Sequence, residues 1–153
     1  MLKLLLCGLT SCVILCLSIP ALADGAEDKA LEFVKKLNGK VTHDENAPGK
    51  PVIALDLYLR QVTDEGLKRL AGLTNLTSLS LGSTQVTDAG MKELDGLSNI
   101  RTLILVFTQV TDAGLKELAA LTNLTTLHLR GTRVSDVGLK ELQQALPNCR
   151  IFK

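Results

Sequence analysis

The amino-acid sequence predicts an α/β solenoid. In it a parallel sheet lines the concave side of a short right-handed arc, helices cover the convex side, and a helical cap closes the N-terminal end. Three observations predict this. A six-residue phrase returns every 24 residues, as Val62-Thr63-Asp64-Glu65-Gly66-Leu67, Val86-Thr87-Asp88-Ala89-Gly90-Met91, Val110-Thr111-Asp112-Ala113-Gly114-Leu115 and Val134-Ser135-Asp136-Val137-Gly138-Leu139. No insertion disturbs the period, and a fixed step of this length marks units that bury their apolar faces only against neighbours. Within a unit the apolar period switches. Leu79-x-Leu81 and Leu103-x-Leu105 have strand spacing, whereas Leu115 and Leu118 lie three apart, as on a short helix.

Residues 1–23 read as a targeting leader. Lys3 precedes an apolar run from Leu4 to Ile19, and Ala21-Leu22-Ala23 is a small-x-small cleavage site before Asp24. The run is shorter than the roughly 20 residues of a membrane-spanning helix, which favours secretion, to a periplasmic, cell-envelope or extracellular location. An uncleaved anchor is the alternative. Leu9-Thr10-Ser11-Cys12 also resembles a lipobox, but Val13-Ile14-Leu15 continue the apolar run beyond it, so lipidation at Cys12 would leave an apolar tail. The leader holds one of the 17 basic residues and none of the 16 acidic ones, leaving sixteen of each. A neutral balance argues against nucleic acid, which needs a basic excess. Three of the four cysteines fall in the leader, so Cys149 has no internal partner and the core rests on packing alone.

Residues 24–51 form the expected cap. Asp28 to Leu37 is amphipathic, with Ala30, Leu31, Phe33, Val34 and Leu37 on or near one face, and Gly39 ends it. A short strand over Lys40 to Thr42 precedes a polar loop through Asn46, Pro48, Gly49 and Pro51. The solenoid covers 52–145, its first strand carrying Val52, Leu55 and Leu57. Residues 146–153 are a truncated closing strand in which Cys149 takes the place of a unit's first leucine after a one-residue lengthening.

In the repeated phrase, Thr63, Thr87, Thr111 and Ser135 suit helix N-caps, and the aspartate after each sits at the positive end of the helix dipole. The glycines Gly66, Gly90, Gly114 and Gly138 cost helix propensity, so close contact between adjacent units is expected to require them. They are isolated, unlike the clustered glycines of a phosphate-binding loop.

The string LxxLxLxxTxVTDxGLxxL resembles the leucine-rich-repeat family, closest to its ribonuclease-inhibitor-like and bacterial secreted members, from Val52 to the C-terminus. Where that family usually has Asn or Cys, this chain has Thr84, Thr108 and Thr132, with Arg60 in the first slot. Threonine hydroxyls can still satisfy backbone groups at the turn. Neighbouring strands sit about 4.8 Å apart and packed helices about 8–10 Å, so the strand side is the inner one. The resemblance implies a non-catalytic module that binds a protein or peptide on this concave sheet.

The outward residues of that sheet are the candidate contact surface. The central row runs Asp56, Ser80, Ile104, His128, the next Tyr58, Gly82, Val106, Arg130, and the lip Leu59, Ser83, Phe107, Gly131. Ile104, Val106 and Phe107 form an apolar cluster on an otherwise polar sheet, flanked by Asp56, Tyr58, His128 and Arg130. The competing reading has Phe107 folding over the sheet edge to pack locally. Catalysis finds little support. His43 and His128 lack metal-ligand spacing, and no cofactor motif occurs. His128 is separated from Asp56 and Ser80 by the strand carrying Ile104, and Cys149 replaces a core leucine, where a thiol is inert. Lys68-Arg69, Lys92-Glu93, Lys116-Glu117 and Lys140-Glu141 recur on the convex side as a solvated face. A monomer is expected. The alternative role is a structural or self-associating envelope protein, using the edge near Ile151 and Phe152.

Overall fold

The computed structural model describes residues 25–153; the leader, with Cys12 and the cleavage site near Ala23, lies outside the described residues. Helix α1 (Gly25–Lys36) and strand β1 (Lys40–His43) form the cap. Then strands β2 (Val52–Asp56), β3 (Ser78–Ser80), β4 (Thr102–Ile104), β5 (Thr126–His128) and β6 (Arg150–Phe152) alternate with helices α2 (Asp64–Lys68), α3 (Asp88–Met91), α4 (Asp112–Leu118) and α5 (Asp136–Ala145). A 3-10 turn over Lys92–Leu94 extends α3. The six strands make one sheet in chain order. β2 to β6 are parallel, and β1 adds antiparallel to β2, pairing Lys40 with Asp56.

Register follows the 24-residue step. Leu55, Leu79, Leu103, Leu127 and Ile151 stand beside one another across the sheet. One residue either side of each leucine points outward, so a slip of one would turn the whole column into solvent. The four leucines of that column are buried, as are Leu57, Leu81, Leu105 and Leu129 two residues on. Leu67, Met91 and Leu115 meet them from the helices. Each buried leucine contributes up to about 1.5–3 kcal/mol, and those of the inner units, such as Leu79 and Leu103, sit between copies of themselves.

The Thr-Asp-x-Gly phrase is the lock between units. Asp64 accepts from the Thr87 amide (2.8 Å) and hydroxyl (2.7 Å). Asp88 accepts from the same groups of Thr111, at 2.7 and 2.6 Å. Asp112 repeats the pattern on Ser135, at 2.7 and 2.6 Å. The carboxylate lies over the next unit's glycine: a Cβ at Gly114 would stand 2.5 Å from Asp88 Oδ1, and Gly90 and Gly138 meet Asp64 and Asp112 likewise. The expectation that neighbouring units forbid a side chain here therefore holds. Asp64, Asp88 and Asp112, however, do more than face a helix dipole: each is shared with the following unit. Capping is also uneven. The Thr87 and Thr111 hydroxyls accept from the amides of Ala89 and Ala113, and Ser135 from that of Gly138, whereas Thr63 makes no side-chain cap bond.

Two further columns support the turns. The hydroxyls of Thr84, Thr108 and Thr132 donate to Leu81, Leu105 and Leu129 carbonyls at 2.6–2.7 Å, each inside its own unit. Asn99 and Asn123 reach back one unit to the carbonyls of Thr74 and Ser98, both at 2.9 Å.

The ends depart from the repeat as terminal units should. Ala30 and Val34 of α1 are buried against the first unit. Phe33 occupies the space over Gly66 that an aspartate fills elsewhere. At the other end Leu146 and Cys149 enter the core one residue late, yet β6 is back in step, pairing Ile151 with Leu127. The lengthening is absorbed before the strand. Burial pushes the Cys149 thiol pKa up, as befits a side chain filling a leucine's place.

The lock predicts position-dependent effects. Asp88→Ala strands the Thr111 amide and should cost about 2 kcal/mol in denaturant unfolding. Asp136→Ala, whose carboxylate meets only the Lys153 ammonium, should leave the midpoint unchanged. A pH dependence follows as well. The Ser135 hydroxyl, then its amide, with lesser help from Lys116 and Lys153, holds the Asp112 carboxyl below the usual aspartate range against the opposing effect of desolvation. A depressed folded value means that this stability is complete above the unfolded pKa, about 3.9, and is lost as pH falls through the folded one. Asp112→Asn should therefore flatten the acid limb of a stability-versus-pH curve.

Candidate functional site

The concave face is built by the short strands and the turns that follow them. Backbone pairing continues past each strand's end: Leu81 and Leu105 amides donate to Ile104 and His128 carbonyls, and Ser83 and Phe107 amides to those of Val106 and Arg130. Tyr58, Val106, Phe107 and Arg130 thus lie beyond the strands proper, on a lip that remains hydrogen-bonded from unit to unit.

The structure brings the expected central row together. Asp56, Ser80, Ile104 and His128 are direct cross-strand neighbours, and Phe152 completes the row beside His128. The imidazole of His128 stacks on the Phe152 ring, centroids 4.7 Å apart and planes 11° from parallel. Asp56 Oδ1 accepts from the Tyr58 amide at 3.0 Å, which fixes the turn carrying the tyrosine. The Tyr58 ring lies against Gly82, where a Cβ would stand 2.7 Å from both Tyr58 Cδ2 and Val106 Cγ2. The glycine makes a saddle in which the aromatic ring and the valine meet.

Phe107 has an unusual conformation. Leu59, Ser83, Phe107 and Gly131 occupy one slot in successive units, and all have positive φ, at 59°, 56°, 55° and 73°. For a side chain with a Cβ, this left-handed region costs roughly 1–2 kcal/mol. The Phe107 ring rests over Gly131, so it does touch its neighbour as the competing reading expected. It nevertheless stays 57% exposed, and Leu59 68%. Tyr58 is 41% and Phe152 49% exposed, so three of the chain's four aromatic side chains open onto or beside this face.

Next to the aromatic half lies a polar one. A groove of about 370 Å³ over β1 to β4 is lined by Lys40, Thr42, Asp56, Ser78, Ser80 and Ile104. The face is therefore graded, from hydroxyls and the cross-strand neighbours Lys40 and Asp56 near the cap to rings near the C-terminal end. Catalytic geometry is not assembled here. With Ile104 between them, His128 stands two strands from Ser80, about 10 Å away. Among the described residues no cluster of three His, Cys, Asp or Glu side chains could hold a metal ion, and no helix is long and apolar enough to cross a membrane.

The family model described as Leucine Rich repeat matches residues 72–94, 96–119 and 120–142, three successive copies. Over these residues the chain is a leucine-rich-repeat protein. Among solved structures, similarity extends to internalin C2 of Listeria monocytogenes, 37% identical over 55% of this chain and 34% of that one, with a TM-score of 0.46. A Leptospira interrogans LRR protein is 27% identical over 56% and 21% of the two chains, also at 0.46. A second Listeria internalin is 25% identical over 61% and 32%, at 0.43. The leucine-rich-repeat chain thus spans at most 34% of the length of these structures. No curated protein matches it.

Phe152 is the member of the surface that spacing alone could have supplied, since it lies 24 residues after His128. The irregular leucine spacing around Cys149 hid it. The positive φ at Phe107 had no signal of its own, although glycine in the same slot of the following unit was the nearest hint.

Proposed function

We propose that the chain is an exported leucine-rich-repeat module that holds a protein or peptide partner on its concave face. Modules of this fold typically bind proteins and are usually non-catalytic. The contact residues in this reading are Asp56, Tyr58, Ile104, Val106, Phe107, His128 and Arg130, joined by Phe152. The observation that carries the reading is Phe107. A large apolar side chain is kept in a left-handed turn, where Asn or Gly sits more easily, and more than half of it faces solvent. Packing over Gly131 recovers part of its area only. Ile104 and Val106 extend the apolar surface inward, and Arg130 supplies an exposed cation at its rim, an arrangement of anchor and polar border common at protein interfaces. Export rests on the leader of residues 1–23, with its apolar run and the small-x-small site before Asp24.

Phe107→Asn separates binding from folding, because asparagine tolerates the left-handed backbone. Affinity capture from the native envelope should lose its partner with this variant, while thermal unfolding stays within a few degrees of wild type. Equal recovery of the same partner by both proteins would remove Phe107 from the interface.

A further inference from the structure

The convex face carries a charge pattern with one break. In three units a Lys-Glu pair sits on the helix, as Lys92-Glu93, Lys116-Glu117 and Lys140-Glu141, and each glutamate is approached by the lysine of the preceding unit. Lys68 lies 4.0 Å from Glu93, Lys92 3.8 Å from Glu117, and Lys116 3.9 Å from Glu141. Residue 69 holds the glutamate's place in the first unit. It is an arginine instead. Across the groove from it, α1 presents Lys29 and Lys36, so the rim carries cations where later units alternate in sign.

These groups border a groove of about 470 Å³ between α1 and α2, within the usual size range of small-ligand sites. Its walls are Ala26, Phe33, Ala71 and Gly72, and its rim is Lys29, Lys36, Lys68 and Arg69 against the single acid Glu32. Lys68 is already engaged, donating to Glu65 at 2.9 Å. Among the described residues no carboxylate bridges Lys29, Lys36 or Arg69. The Arg69 guanidinium carbon lies 5.1 Å from the centroid of the Phe33 ring, which orients the guanidinium over an aromatic wall and leaves its N–H edges free. Gly72 lets the backbone of Ala26 approach closely and closes one end. An apolar floor beneath a rim of four cations and one acid selects an anion attached to an apolar group.

We infer that this convex groove binds a small phosphate ester, with the phosphate on Lys29, Lys36 and Arg69 and the apolar substituent against Phe33 and Ala71. Arg is suited to phosphate by its planar fork of donors, and the lysines add point charge. The site lies on the opposite face from the proposed partner surface and does not depend on it. A soluble ester and a phospholipid headgroup present the same chemistry.

The test uses phenyl phosphate as probe, by calorimetry and amide chemical shifts on the full chain, with inorganic phosphate and benzyl alcohol as controls. Saturable binding of phenyl phosphate, at least about tenfold tighter than either control, with shifts confined to residues 26–36 and 66–72, supports the site. Arg69→Glu restores the repeat's own residue, so it should fold as wild type and weaken the probe by tenfold or more. Lys36→Ala should weaken it as well and guards against an unforeseen effect of the first variant. Co-sedimentation with phosphatidate vesicles, lost in Arg69→Glu, would support the site and assign the phosphate to a lipid. Phenyl phosphate binding without co-sedimentation would support it and assign a soluble ester. No saturable binding, or binding indifferent to Arg69→Glu, would overturn the inference.

Discussion

Asp64, Asp88 and Asp112 of the repeated phrase each belong to two units at once. Each starts a helix in its own unit and closes two hydrogen bonds on the hydroxyl and amide of the next, above a glycine that leaves room for it. That contact fixes the translation from one unit to the next, and the leucine columns can be dry only if the translation is constant. The polar lock and the apolar spine are therefore one constraint. A leucine column without the lock could slide, and a lock without the column would have nothing to hold in step.

Because the step is constant, outward residues fall into rows, and function can be written by changing single positions without disturbing the frame. The concave rows vary from Ser80 to Ile104 to His128 at one height, while the inward leucines beside them do not. The convex rows behave in the same way, with lysine and glutamate repeated until Arg69 breaks the series. Where the frame is repetitive, departures from it are the informative residues. Both surfaces argued for above were found as departures. The exposed ion pairs along the regular part of the convex face add little to stability by comparison.

The sheet, its direction, the helix positions and the inward columns were legible because each depends on periodicity, which a repeat displays several times over. The lock was only half legible. Spacing pointed to a close approach at Gly90, Gly114 and Gly138, but not to the atom approaching, because the partner lies in another unit and its reach depends on a side-chain rotamer. The surface was legible to the level of rows: Asp56, Ile104 and His128 stand where alternation put them. The left-handed turn at Phe107 and the stacking of His128 on Phe152 were not, since neither leaves a pattern in a single chain. The cap was legible as an amphipathic helix and a strand. That Phe33 would stand in for a missing aspartate over Gly66 depended on how α1 docks.

Removal of one whole unit tests the constant step most directly. Deleting residues 90–113 joins Ala89 to Gly114, recreates the repeated phrase at the junction, and removes Asp112, so that Asp88 takes its place over Ser135 and Gly138 only if the step is kept. Deletions one residue shorter and one residue longer provide the comparison, with cooperative thermal unfolding followed by circular dichroism. The 24-residue deletion should melt as a single folded species, and its two neighbours should lose cooperative folding. Equal tolerance of all three lengths would contradict a spine and lock that share one fixed translation.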